Sequence, residues 1–156
     1  MAMKVKELGH VVLYVHNVER SAAIYRDVLG FRQVVPYPEG GYGRVGAVAF
    51  SSGRTHHELL LIEVGEDAKE IPAGRRVGMY HFGLKVGDTD DELREAIRQL
   101  RDKGANVVGA SDHGATHSVY LLDPDGNEVE VYIDVPGVDW MSNPALAMVP
   151  AQPLRL

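Results

Sequence analysis

Two histidines and two glutamates recur at matching places in this 156-residue chain. His10 stands in Gly9-His-Val-Val-Leu13 and His81 in Tyr80-His-Phe-Gly-Leu84; Glu58 and Glu130 stand in later apolar runs. Taken singly, each has an ordinary reading. A lone histidine beside Val11 reads as a hydrogen-bonded core or edge residue, and Glu130 as a solvated position on a half-exposed strand. Taken together, two imidazoles and a carboxylate repeated across two similar segments are costly for a core that holds no ion. A buried, unpaired carboxylate loses several kcal/mol of hydration, which a divalent cation offsets. Two neutral imidazoles and one carboxylate on one face of a metal leave adjacent positions open. That arrangement is expected of non-haem Fe(II) sites that take both a substrate and O₂. The same ligand types also suit Mn(II), Ni(II), Co(II) or Zn(II). With Glu58 as a fourth ligand the set becomes two His and two Glu, better suited to Lewis-acid proton transfer.

The elements that must position these residues repeat. In the first half, Leu8 to Val15 is β-branched and aromatic and reads as a strand. Asn17 caps a helix carrying Ala22, Tyr25, Val28 and Leu29 at helical spacing, and Gly30 ends it. Strands are predicted over Phe31 to Tyr37, Arg44 to Phe50 and His56 to Val64, with turns at Gly40 to Gly43 and Ser51 to Arg54. In the second half, a strand over Met79 to Val86 is followed by N-cap candidates Asp88, Thr89 and Asp90. A helix with a stripe of Leu93, Ala96, Ile97 and Leu100 comes next, stopped by Gly104. Strands then run over Ala105–Ala110, Thr116–Leu122 and Asn127–Asp134, the last two joined by Asp123-Pro-Asp-Gly-Asn127. Both halves read β-α-β-β-β, offset by roughly 70–75 residues. In Glu128-Val-Glu-Val-Tyr-Ile133, alternation puts Glu128, Glu130 and Tyr132 on one face.

The predicted fold class is α+β: two βαβββ modules forming a cupped, largely antiparallel mixed sheet around a metal site. We expect one domain over 1–156, with module 1 at about 5–64, a linker at 65–78, module 2 at about 79–134 and an extended tail at 135–156. The tail carries four Pro, with Trp140, Leu146 and Met148 as its expected anchors, and lies along the body or reaches a second copy of the chain. A homodimer is the expected assembly.

Composition narrows the chemistry. The net charge of -6 argues against nucleic acid and against an anionic membrane surface. Val11 to Val15 is far too short for a signal-peptide core or a membrane span, so a cytoplasmic location is expected. With no Cys, thiolate metal sites, disulfides and thiol nucleophiles are excluded. Seven His, the carboxylates and Tyr remain.

The paired modules, Gly9-His-Val-Val-Leu13, Tyr25-Arg-Asp-Val-Leu-Gly-Phe31, Tyr80-His-Phe-Gly-Leu84 and Asp123-Pro-Asp-Gly-Asn-Glu-Val-Glu130 resemble the vicinal oxygen chelate superfamily over about residues 5–134. That superfamily holds glyoxalase I, extradiol ring-cleaving dioxygenases, fosfomycin-resistance enzymes and metal-free bleomycin-binding proteins. Within it, the chain is most similar to single-domain catechol 2,3-dioxygenase-like members. The resemblance implies His10, His81 and Glu130 as ligands of Fe(II), with a catecholic small molecule and O₂ as reactants in aromatic catabolism. It implies His57 as the outer-sphere histidine that takes a substrate proton, with His56 as its alternative. It implies Tyr120 as a hydrogen-bond donor to the substrate, and His113 as a second histidine, although His113 stands closer to Tyr120 than in the family. An activity needing neutral His57 is expected to fall below about pH 6. Other readings are a glyoxalase-like lyase or isomerase, which needs Glu58 as a working ligand, and a metal-free binding or resistance protein. His117 is placed on the strand face opposite Tyr120, His16 in a loop, Asp123 and Asn127 in a turn, and Arg75-Arg76 in solvent.

Overall fold

A computed structural model describes residues 2–36, 46–147 and 149–156, with the side chains of residues 35 and 36 excepted. The expected turn at Gly40 to Gly43, the strand ends at Tyr37 and at Arg44-Val45, and the anchor Met148 lie outside the described residues. The chain divides into two compact units, Met1–Glu70 and Ile71–Leu156. The division falls inside the segment read as a linker.

The first unit runs β1 (Val11–Val15), α1 (Val18–Ala23), a π-helical turn (Ile24–Val28), β2 (Arg32–Pro36), β3 (Ala47–Ser51) and β4 (Leu59–Glu63). Its sheet has the order β1-β4-β3-β2; β1 and β4 are parallel and the other pairs antiparallel. Asn17 caps α1 by accepting from the Arg20 amide at 2.9 Å. Gly30 follows at φ +77, the left-handed region that a side chain resists. Leu13, Val15, Ala22, Tyr25, Phe50, Leu59 and Leu61 form its buried core.

The second unit repeats the pattern: β5 (His81–Gly87), α2 (Asp90–Asp102), β6 (Asn106–Asp112), β7 (Thr116–Leu122) and β8 (Glu128–Asp134). Its sheet order, β5-β8-β7-β6, mirrors the first, again with only the outer β5–β8 pair parallel. Thr89 and Glu92 form a capping box: the Thr89 hydroxyl accepts from the Glu92 amide at 3.3 Å, and Glu92 Oε2 accepts from the Asp88 amide at 2.8 Å. Leu93 and Leu100 of α2 are buried, as are Val119, Leu121, Val129, Val131 and Ile133 of β7 and β8. These apolar residues alternate with the polar face that carries Ser118, Tyr120, Glu128, Glu130 and Tyr132. The turn into β8 is tightly specified. Asp123 Oδ1 accepts from the Asp125 and Asn127 amides at 2.9 and 2.8 Å, and Oδ2 accepts from the Asn127 side chain at 2.9 Å.

Three expectations shift. His10 precedes β1 rather than lying within it, because the pairing of β1 with β4 begins at Val11 opposite Leu59. His56, His57 and Glu58 sit in the loop before β4, not in the strand, because the Glu58 carboxylate captures the loop's own donors. The tail is not anchored through Trp140 and Leu146, which are 54% and 38% exposed. It is held instead by reciprocal backbone bonds between Asp112 and Gln152 at 2.9 and 2.8 Å, and by Val149 packed at Gly114. Backbone pairing needs no apolar periodicity, so the sequence carried no sign of it. Among the described residues, no helix is long and apolar enough to cross a membrane.

Candidate functional site

In the second unit, parallel pairing of β5 with β8 sets His81 opposite Glu128 and Gly83 opposite Glu130. His81 therefore lies between two carboxylates that project from the same face of β8. Its Nδ1 is 3.2 Å from Glu128 Oε1 and its Nε2 is 3.4 Å from Glu130 Oε2. Antiparallel pairing of β7 with β8 puts Tyr120 opposite Glu130, and its hydroxyl donates to Glu130 Oε1 at 3.2 Å. The Tyr120 oxygen is 2.8 Å from His113 Nε2; because the phenol proton goes to Glu130, His113 is the donor in that bond. Burial first, and then the Glu130 charge and hydrogen bond, push the Tyr120 hydroxyl up to about 12. Tyr120 thus keeps its proton through the neutral range. The result is a continuous polar line, His113–Tyr120–Glu130–His81–Glu128.

The donor types on that line, imidazole and carboxylate, are those that a divalent cation takes. With Nδ1–H given to Glu128, His81 Nε2 turns a lone pair towards a second lone-pair donor, Glu130 Oε2. Such a juxtaposition is favourable only with a proton or a cation between the two. The neighbouring strand makes room for the Glu130 carboxylate. A Cβ on Gly83 would lie 3.3 Å from Glu130 Oε2 and 3.0 Å from Tyr132 Cε1. Gly83→Ala is therefore expected to displace the Glu130 carboxylate or the Tyr132 ring by a few tenths of an ångström. Divalent-metal affinity should fall while the melting temperature changes little, which chelator competition alongside thermal denaturation checks.

The first unit gathers the other candidates. The His10 and His57 rings lie 4.6 Å apart, and His56 Nδ1 is 2.6 Å from His57 Nδ1. Burial, with His56 and His10 adding to it, holds the His57 imidazole below its usual range and so favours its neutral, proton-accepting form. Glu58 is committed elsewhere. Its Oε2 accepts from the Ser52 amide at 2.6 Å, and its Oε1 from Arg54 Nε at 2.9 Å and from the Ser52 hydroxyl at 2.9 Å. Although burial opposes it, these donors hold the Glu58 carboxyl below the usual carboxylate range. Arg54 continues to Glu7 Oε2 at 2.9 Å and to the carbonyls of Gly9 and Leu8 at 3.2 and 3.4 Å, fixing the segment that leads into His10.

The second unit thus brings together His81, Glu130, Tyr120 and His113, and the first His10, His56 and His57. Among the described residues, no group of three or more His, Asp or Glu side chains is gathered to hold a metal. His117 faces away from Tyr120, as alternation predicts: its Nδ1 is 2.6 Å from Asp90 at the start of α2 and its Nε2 is 3.6 Å from Asp112. His16 Nε2 is 3.1 Å from the Ala68 carbonyl, and Arg75 and Arg76 are exposed. Sequence reasoning missed Glu128, Gly83 and Arg54. The first had a signal in the strand alternation that placed it on the face of Glu130, and the second in the His81-x-Gly83 spacing on β5.

The chain repeats one βαβββ unit, and in the second unit an imidazole on the outer parallel strand faces two carboxylates on its partner. The chain belongs to the Glyoxalase/Bleomycin resistance protein/Dioxygenase superfamily, whose signature matches residues 7–131. It is 32% identical over 133 residues to a catechol-2,3-dioxygenase of Bacillus subtilis, covering 85% of this chain and 43% of that protein. It is 34% identical over 130 residues to biphenyl-2,3-diol 1,2-dioxygenase 3 of Rhodococcus globerulus, covering 81% and 63%. The chain therefore spans less than two thirds of the length of either relative. The solved structure of a lactoylglutathione lyase from Agrobacterium tumefaciens superposes with a TM-score of 0.61 at 28% identity, covering 84% of this chain and 96% of that one. These distant relatives are enzymes, and their superfamily commonly uses divalent metals.

Proposed function

We propose that the protein is an extradiol-type ring-cleaving dioxygenase acting with O₂ on a small aromatic molecule bearing two adjacent hydroxyls. His10, His81 and Glu130 would hold the metal, Fe(II) in first place, with Mn(II), Ni(II), Co(II) and Zn(II) as alternatives on ligand type. Bound there, the ion would supply the electron transfer and the open positions at which diol and O₂ meet. The observation that carries the reading is the Tyr120 hydroxyl, firmly protonated and held between His113 and Glu130 beside His81. With Glu130 taken up by a metal, that single phenol proton would be free to go to a substrate oxyanion, while His113 keeps donating to the phenol oxygen. His113 orients it, and neutral His57 accepts the hydroxyl proton that the substrate loses on binding. The names of the two dioxygenase relatives support the same substrate class.

The lyase-like reading, favoured by the Agrobacterium structure, requires a fourth ligand from Glu58. The donors already on Glu58 argue against it, since a metal would have to replace Ser52 and Arg54. The folded Glu58 value lies below that of the free carboxyl. Its stabilising contribution is therefore complete above about pH 4.3 and fades as pH falls through the folded value. Glu58→Gln should cost about 1.5–3 kcal/mol at pH 7, the worth of a hydrogen bond to a charged group. The deficit should shrink towards acid in urea titrations, and metal stoichiometry should not change. Loss of the metal in that variant would favour the four-ligand reading.

The activity itself is tested by anaerobic loading with Fe(II), followed by a panel of catechols and air. Formation of a yellow ring-opened product with one O₂ consumed per product supports the proposal. A fully loaded protein that consumes no O₂ with any catechol contradicts it.

A further inference from the structure

The geometry assigns to Glu128 the task of orienting His81 for the metal. This rests on the reading of His81 and Glu130 as ligands and adds the residue that decides which nitrogen of His81 faces the ion.

His81 meets carboxylates on both sides, and the ligand pattern alone does not say which of them shares a metal with it. Two differences between these carboxylates settle the roles. Glu130 is tied at its other oxygen to Tyr120, and through Tyr120 to His113, so it belongs to the group of polar side chains that can act on a substrate. Its Oε2 also occupies the space left by the missing side chain of Gly83. Glu128 stands at the first position of β8, directly opposite His81 in the parallel register, with Oε1 3.2 Å from Nδ1. A carboxylate there accepts the Nδ1 proton, fixes the tautomer with a bare Nε2, and holds the ring plane against rotation about the Cβ–Cγ bond. A metal-binding histidine gains affinity from such a partner because its lone pair is aimed before the ion arrives and its basicity is raised. Glu128 is half-buried, its side chain 19% exposed, so bulk water does not supply the same acceptor equally well. It is a positioning residue, acting through His81.

The test is carried out on the metal-free full chain, titrated with Co(II) against a competing chelator, and on the Zn(II)-loaded protein with ¹⁵N-labelled histidine. Glu128→Leu should lower Co(II) affinity about 10- to 100-fold. It should also move the His81 Nδ1–H resonance upfield and speed its exchange with water. Glu128→Gln keeps an acceptor oxygen and should recover most of the affinity and the protected resonance, a rescue that a merely structural role does not require. Wild-type affinity and an unmoved resonance in Glu128→Leu would overturn the assignment. Complete loss of bound metal in Glu128→Gln, as for a ligand, would overturn it as well. The underlying reading fails separately: it falls, and this assignment with it, if His81→Ala binds Co(II) as tightly as the wild type.

Discussion

Glu130→Gln should abolish stoichiometric divalent-metal binding and, with it, oxygen consumption. Removing an outer-sphere partner costs about 10- to 100-fold in metal affinity, so removing a charged ligand should exceed about 100-fold. Two features of the site make this variant decisive. Gln keeps the volume beside Gly83 and Tyr132, and it still offers an oxygen to the Tyr120 hydroxyl, so β8 has no reason to unfold. What is lost is the negative charge facing His81 Nε2 across 3.4 Å. Equilibrium dialysis with metal analysis checks the result, and an unchanged circular dichroism spectrum confirms the fold. Full metal occupancy in the variant would remove Glu130 from the ligand set.

Tyr120→Phe should divide the two functions that Glu130 combines. The phenol sits on β7, opposite Glu130, as an outer-sphere donor. Its loss should lower metal affinity by about tenfold, the lower end of the outer-sphere range. The cost to kcat should be larger, about 100- to 1,000-fold, the usual consequence of deleting a donor aimed at developing negative charge. The pH profile gives a second check. Because the Tyr120 hydroxyl is pushed up to about 12, its deprotonation should cause no alkaline loss of activity below about pH 10. Steady-state kinetics on the most active catechol, paired with metal titration, separates the two effects. Equal losses in kcat and in metal affinity would mean that Tyr120 only supports Glu130.

The fold was legible because both halves carry the same punctuation. Asn17 and Thr89 cap, Gly30 and Gly104 stop, and the strands between them alternate, so the repeated βαβββ order could be read without any long-range information. The site was legible where chemistry and alternation agreed. Glu130 and Tyr120 fall on one face of adjacent strands, and β7 and β8 pair in the register that brings them together. What escaped was set by pairing register and by loop closure. Nothing in the sequence says that β5 runs parallel to β8 with His81 exactly level with Glu128, so the orienting carboxylate passed for a solvated one. Nor does the apolar run Leu59 to Glu63 announce that the histidines before it leave the strand. That break follows from Glu58 gathering Ser52 and Arg54 around itself. Arg54 in turn ties this loop to the backbone just ahead of His10, a contact between residues more than forty positions apart.

In the function proposed above, His10, His81 and Glu130 would share one divalent ion. Anomalous-difference crystallography of the full chain loaded with Mn(II) tests it most directly. A single strong peak is expected, coordinated by the Nε2 atom of His81, one oxygen of Glu130 and a ring nitrogen of His10, with Glu58 still bound to Ser52 and Arg54. A peak coordinated without His81 or Glu130, or one that draws Glu58 away from Arg54 into the ligand set, would contradict it.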